Sequence, residues 1–235
     1  MLVTPKHLSK SFDNELHEVV DLFLQMGRMA AEQVMIATRA LIAADETTAK
    51  KVIADDDLIN QLEVKIDEQI ILLVAKRQPA ANDLRLVMAL SKGIVDFERV
   101  GDEAEKIARM VRSIIQSGSP RSLPSLELRV AADLASGLLN KALDAFARLD
   151  ITAAVAILKE DDLIDAEFDG FVRKLITYMM EDPRMISPSL DLLFLAKAIE
   201  RIGDHAKNIA EFIIYVVKGE DVRHATMEKI ESVIK

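Results

Sequence analysis

Two acidic motifs of the same form occur in the two halves of the chain. Glu-Arg-Val-Gly-Asp occupies residues 98–102, and Glu-Arg-Ile-Gly-Asp occupies residues 200–204. In each motif the Glu and the Asp are separated by four positions, so on a helix both carboxylates lie on one side, one turn apart. Carboxylates this close either raise one another's pKa or call for a cation between them.

A second pair of polar residues precedes each motif at the same spacing. Asp56 and Asn60 stand before the first motif, and Asp161 and Asp165 stand before the second. The segments that contain them align without a gap at an offset of 105 residues (161 minus 56). We therefore interpret the second half of the chain as an edited copy of the first.

The chain that positions these pairs has the composition of a helical protein. Its 235 residues include only 8 Gly and 6 Pro, and good helix formers fill the stretches between the prolines. The pattern predicts six helices, over residues 8–43, 47–77, 82–116, 125–148, 152–181 and 188–217. We predict an all-α fold of two tandem, pseudo-symmetric three-helix bundles, residues 1–117 and 122–235, with a linker-like segment between them.

The two pairs in each half are predicted to lie side by side. In the first half their midpoints, positions 58 and 100, are equidistant from a turn at Pro79, and in the second half positions 163 and 202 are equidistant from a turn at residues 182–183. Each acid of the two motifs follows a core position of its helix by one residue, so the acids should flank the core. Gly101 and Gly203 lie on the core face, where they permit close approach of a neighbouring helix.

We interpret the four pairs as candidate metal ligands. The chain has no Cys and only 4 His, so the donors would be oxygen atoms, which suit Mg²⁺, Mn²⁺, Ca²⁺ or iron. A single such pair is usually solvated surface, and Arg99 and Arg201 could neutralise their neighbours without a metal. Nearby acids, Glu63, Asp67, Asp57 and Asp162, also remain open as ligands. The candidate ligands are Asp56, Asn60, Glu98, Asp102, Asp161, Asp165, Glu200 and Asp204.

Composition narrows the class of protein. The formal net charge is −9 and there is no dense Lys/Arg block, which argues against nucleic acid as the main partner. The N-terminus lacks the apolar core of a signal peptide, and no apolar run approaches the length of a membrane helix. We therefore expect a soluble, cytoplasmic protein.

Signs of an enzyme are scarce in the sequence. There is no phosphate-binding loop, dinucleotide-binding glycine motif, His-Glu-x-x-His or Glu-x-x-His motif, and no residue is assigned a catalytic role. We therefore expect a cation-binding scaffold that acts as a regulator or adaptor. The alternative is a metal-dependent hydrolase or oxidase that uses the same carboxylates.

The sequence resembles the PhoU family of phosphate-signalling regulators. The resemblance rests on the duplicated motif at 98–102 and 200–204 and on the segments AKRQPAANDLRLVMALSK and LITYMMEDPR, and it extends from about residue 8 to residue 224. That family has two tandem three-helix bundles with Glu/Asp-x-x-x-Asp motifs. Asn60 departs from the motif, which has Asp at that place, so the first-half site could bind an ion more weakly.

The resemblance implies a function that the spacing of residues does not. It implies a cytoplasmic negative regulator of the phosphate-starvation response and of phosphate uptake. Its partners would be the ATPase subunit of a phosphate ABC transporter and a sensor histidine kinase, and it would reach the membrane only through them. The resemblance further implies a homodimer and bound metal, namely Mg, Mn, Fe or Zn.

Overall fold

The computed structural model describes residues 10–116 and 125–234, and in these residues the fold is all-helical, without a strand. The all-α prediction is confirmed, and the six predicted helices are present, each beginning within about two residues of the expected position. The boundary predicted between residues 117 and 122 lies outside the described residues. The helices are α1 (Lys10–Ala43), α2 (Glu46–Arg77), α3 (Ala81–Gln116), α4 (Ser125–Arg148), α5 (Ile151–Glu181), α6 (Ile186–Lys218) and α7 (Met227–Ile234), with a 3-10 turn at Pro183–Met185.

The helices pack as two groups of three. Helices α1, α2 and α3 contact one another, and so do α4, α5 and α6. The two groups meet where α3 lies against α6 and α1 lies against α4. Equivalent aspartates, Asp45 and Asp150, accept hydrogen bonds from backbone N–H groups at the start of α2 and α5, so the repeat extends to the helix caps.

Helices α3 and α6 run antiparallel and lie against each other over most of their length. Contacts that move forward along α3 move backward along α6, in the pairs Arg85 with Val216, Asp96 with His205 and Ser113 with Asp191. This register places Val100 and Ile202, which are both fully buried, at the same level. The two copies of the motif therefore lie at one height, near the middle of the contact between α3 and α6.

Three phenylalanines join the two groups of helices into one core. The ring of Phe23 from α1 lies 4.8 Å from the ring of Phe97 in α3 and 4.7 Å from that of Phe146 in α4, measured between centroids. All three side chains are fully buried. The bundles therefore share apolar contacts instead of folding around two separate cores.

Close packing beside these rings requires a glycine. A Cβ atom added at Gly27 would lie 2.3 Å from Leu143 Cδ2 and 2.7 Å from Phe97 Cζ, whereas at Gly170 it would meet nothing within 4 Å. We expect Gly27→Ala to lower the free energy of unfolding by about 2 kcal/mol because the core must shift. Gly170→Ala should raise it by about 0.5 kcal/mol through helix propensity. Urea titration of the two variants checks this, and equal stability of the two would contradict it.

Candidate functional site

The first acidic cluster, defined by Asp56, Asn60, Glu98 and Asp102, lies between α2 and α3. Its deepest member is Asp56, whose side chain is 9 % exposed. A Cβ atom at Gly101 would lie 3.1 Å from Asp56 Oδ1 and 3.0 Å from Ile59 Cδ1. The missing side chain of Gly101 thus makes room for a carboxylate that is buried, not merely beside the core as expected.

The second acidic cluster, defined by Asp161, Asp165, Glu200 and Asp204, repeats this arrangement between α5 and α6. Asp161 is 2 % exposed, and a Cβ atom at Gly203 would lie 3.2 Å from its Oδ1 atom. Each half therefore brings its two pairs to one height, as the sequence predicted. Asp165 and Asp204, by contrast, lie at the rim and are only partly shielded from solvent.

The carboxylates of the first acidic cluster repel one another. Burial raises the pKa of Asp56, a hydrogen bond from Asn60 lowers it in part, and the charge of Asp102 raises it again. The pKa of Glu98 is raised first by burial and then by Asp102, Glu63 and Asp56. Glu63, left open by the sequence, is therefore an electrostatic neighbour of the cluster.

Polar atoms in this cluster are incompletely paired. Asn60 Nδ2 donates to Asp56 Oδ2 at 3.1 Å. Asp56 Oδ1 and Asn60 Oδ1 are both buried and have no hydrogen-bond partner. Buried oxygens without a donor are costly, so these two atoms would gain from a cation or a water molecule.

The second acidic cluster contains two ammonium groups that the sequence interpretation missed. Lys207 Nζ donates to Asp161 Oδ2 at 3.0 Å, and Lys197 Nζ lies 2.6 Å from the Glu200 carboxylate. Partial burial opposes the charge of Lys207, but the bond to Asp161 raises its pKa overall. Lys207 follows Gly203 by four residues, and this spacing was the signal that could have placed it beside Asp161.

Repulsion also acts at the rim of the second acidic cluster. Burial raises the pKa of Asp165, and the charges of Asp161 and Glu200 raise it further. The pKa of Asp204 is raised first by burial and then by Glu200 and Asp161. The lysines therefore reduce the excess negative charge without removing it.

Comparison with known proteins shows the family to which the chain belongs. The PhoU domain model matches the chain twice, over residues 23–111 and 128–213. A phosphate-specific transport system accessory protein PhoU homolog of Burkholderia is 49% identical over 96% of this chain and 96% of its own length. The chain belongs to the PhoU family. The accessory protein PhoU of Escherichia coli K12 is 44% identical over 97% of this chain and 94% of its own length.

Solved PhoU structures have the same fold. The crystal structure of PhoU from Pseudomonas aeruginosa matches with a TM-score of 0.86 and 44% identity, over 89% of this chain and 100% of that one. The phosphate transport system regulatory protein PhoU from Streptococcus pneumoniae matches with a TM-score of 0.83 and 30% identity, over 90% and 99% of the two chains. The resemblance inferred from the duplicated motif is thus confirmed.

Two residues next to the PhoU motifs lie in the contact between α3 and α6. His205 Nδ1 lies 2.9 Å from Asp96 Oδ1, and both side chains are buried where α3 meets α6. Arg201 points away from the second acidic cluster, since its Nη1 atom lies 3.0 Å from Oε1 of the buried Glu103. Arg201 is thus part of the contact between the halves, contrary to the alternative that it neutralises Glu200.

The donor chemistry of the acidic clusters suits a hard cation, and the unpartnered oxygens of Asp56 and Asn60 add to that fit. No three Asp, Glu or His side chains converge into a ready-made ion site in residues 10–116 and 125–234. Binding would therefore require side-chain rotations. In this same part of the chain, no helix is long and apolar enough to cross a membrane.

Proposed function

We propose that this protein is an accessory regulator of phosphate transport. In this proposal it restrains phosphate uptake and represses the phosphate-starvation response, by linking the ATPase subunit of a phosphate ABC transporter to a sensor histidine kinase. The observation that carries the proposal is similarity over nearly the whole chain to proteins named accessory or regulatory in phosphate transport. Its cytoplasmic location and its assembly as a homodimer belong to the same proposal.

Binding of cations is the second part of this proposal. The first acidic cluster would hold an ion through Asp56, Asn60, Glu98 and Asp102, and the second through its four carboxylates. A bound ion would supply positive charge that offsets the repulsion between carboxylates. The residues of the chain supply the oxygen donors, while Gly101 and Gly203 leave room for the inner aspartates.

The regulatory role predicts a release of repression when the protein is lost. In a strain lacking it, phosphate-starvation genes should stay expressed in abundant phosphate, about tenfold or more above wild type, because the kinase is no longer restrained. Reporter expression measures this. In the complemented strain, pull-down from phosphate-replete cells should recover the transporter ATPase and the kinase.

Variants of the acidic clusters separate the two parts of the proposal. Alanine at all eight cluster positions should weaken repression, while alanine at Glu68 and Glu181, exposed acids of α2 and α5 away from the clusters, should leave it intact. Normal repression in the deletion strain would reject the regulatory role. Normal repression by the eight-position variant would reject only a role for the clusters. Turnover by metal-loaded protein would instead favour a hydrolase or an oxidase.

A further inference from the structure

The internal repeat makes the two acidic clusters directly comparable. At an offset of 105 residues Asp161 corresponds to Asp56, and at an offset of 102 (207 minus 105) Lys207 corresponds to Glu105. Lys207 Nζ donates to Asp161 Oδ2 at 3.0 Å. In the first half the residue at the corresponding position, Glu105, carries a negative charge that raises the pKa of Asp56.

A second lysine also reduces the negative charge of the second cluster relative to the first. Lys197, which lies 2.6 Å from the Glu200 carboxylate, corresponds to the uncharged Val95 (197 minus 102). Across the described ranges 10–116 and 125–234, no Lys or Arg forms an ion pair with the carboxylates of the first acidic cluster. Arg99 acts on Glu98 only through longer-range charge, which lowers the pKa of Glu98 in part. Glu105 does have a partner, Arg109, but that side chain is 55% exposed.

One buried atom of the first acidic cluster has no donor, so a cation could approach it without displacing a hydrogen bond. Asp56 Oδ1 has no hydrogen-bond partner, its side chain is 9 % exposed, and it faces the bare Cα of Gly101. The equivalent aspartate, Asp161, already has an ammonium group on its other oxygen. A divalent ion on that oxygen of Asp161 would have to displace the ammonium group, and an ion on Asp56 Oδ1 would not. Glu200 Oε2 of the second cluster also lacks a hydrogen-bond partner, but the Lys197 ammonium group lies 2.6 Å from it.

We propose that Lys207 is a built-in counter-cation of the second acidic cluster, so that divalent cations bind preferentially at the first, where Glu105 takes the corresponding place. This inference rests on the cation binding in the proposed function. It assigns different roles to the two clusters and reverses the expectation, based on Asn60, that the first-half site binds an ion more weakly.

Exchanging the two residues tests the proposal with Mn²⁺ as the probe. By calorimetry on the full chain, wild type should bind one Mn²⁺ tightly. Glu105→Lys should weaken that binding about tenfold or more, and Lys207→Glu should add a second site of similar affinity. Lys76→Glu makes the same charge change as Lys207→Glu, at an exposed position near the end of α2. It should alter neither the number of Mn²⁺ ions bound nor their affinity. Equal binding at both clusters of wild type, unchanged by Lys207→Glu, would overturn the preference.

A metal-free measurement tests Lys207 separately. In EDTA, Lys207→Glu and the milder Lys207→Gln should lower the melting temperature by about 3 °C or more, since the buried Asp161 loses its counter-charge. Glu105→Lys should not lower it. Unchanged melting of both Lys207 variants would overturn the counter-cation role. If neither wild type nor any variant takes up Mn²⁺, cation binding in the proposed function is rejected, and the preference for the first cluster is rejected with it. The melting temperatures in EDTA then decide the role of Lys207 on their own.

Discussion

Replacing Phe23 with Ala is expected to lower the free energy of unfolding by about 4 kcal/mol. The ring is fully buried and lies within 5 Å of the rings of Phe97 and Phe146, between centroids. Its removal leaves a cavity at the place where α1, α3 and α4 meet, and the neighbouring rings fill such a space only partly. Urea titration followed by circular dichroism measures the loss.

The matched control is Phe194→Ala, because Phe194 is 62% exposed. That truncation should change the free energy of unfolding by no more than about 0.5 kcal/mol. The two bundles also meet where α3 lies against α6, so the Phe23→Ala variant should still unfold in a single transition. Two separate transitions, or equal costs for the two truncations, would contradict the shared core.

Glu211→Gln is expected to stabilise the protein at pH 8 by on the order of 3 kcal/mol and to have almost no effect near pH 4. Glu211 is 8 % exposed, and burial raises its pKa from 4.5 to about 7, with Lys207 and Arg223 opposing the shift and Asp221 and Asp96 adding to it. An acid whose pKa is raised in the folded state favours folding while it is protonated. Its contribution is full below about pH 4.5 and is lost as the pH rises through about 7.

The difference between Glu211→Gln and wild type isolates this residue from the other acids. It should grow between pH 5 and about pH 7 and then level off by pH 8 in urea titrations. Glu15→Gln is a control of opposite sign, because the hydrogen bond from Arg77 lowers the pKa of Glu15 and so favours folding above its usual pKa. A difference for Glu211→Gln that stays constant over this range would show that the carboxyl group is not buried as described.

The sequence predicted those features that depend on local order along the chain. Helix bounds follow from proline placement and apolar periodicity, and the common height of the pairs follows from counting residues back to Pro79 and Pro183. The burial of Asp56 and Asp161 was missed. Whether a position beside the core is buried depends on the size of the side chain that the neighbouring helix places opposite it. Here the neighbour presents a glycine in both halves.

Contacts between the halves were beyond the reach of sequence patterns. Asp96 and His205 are separated by 109 positions, and neither lies on an alternating or heptad pattern that would pair them. The high pKa of Glu211 likewise depends on how α3 and the segment after α6 cover it. Such polar contacts follow from how α3 and α6 pack against each other, and no local sequence signal encodes that packing.

The position of the duplicated motif has a mechanical consequence. From Val100 to the turn at Pro79 the chain runs about 30 Å as a helix, and from Ile202 to the turn at Pro183 it runs nearly as far in the opposite direction. Helices α3 and α6 thus lie side by side, and the acidic clusters lie near the middle of their shared contact. A rotation of roughly 5° there moves each hairpin end by about 3 Å at this arm length. A relative rotation of α3 and α6 at the acidic clusters would therefore displace the two hairpin ends most.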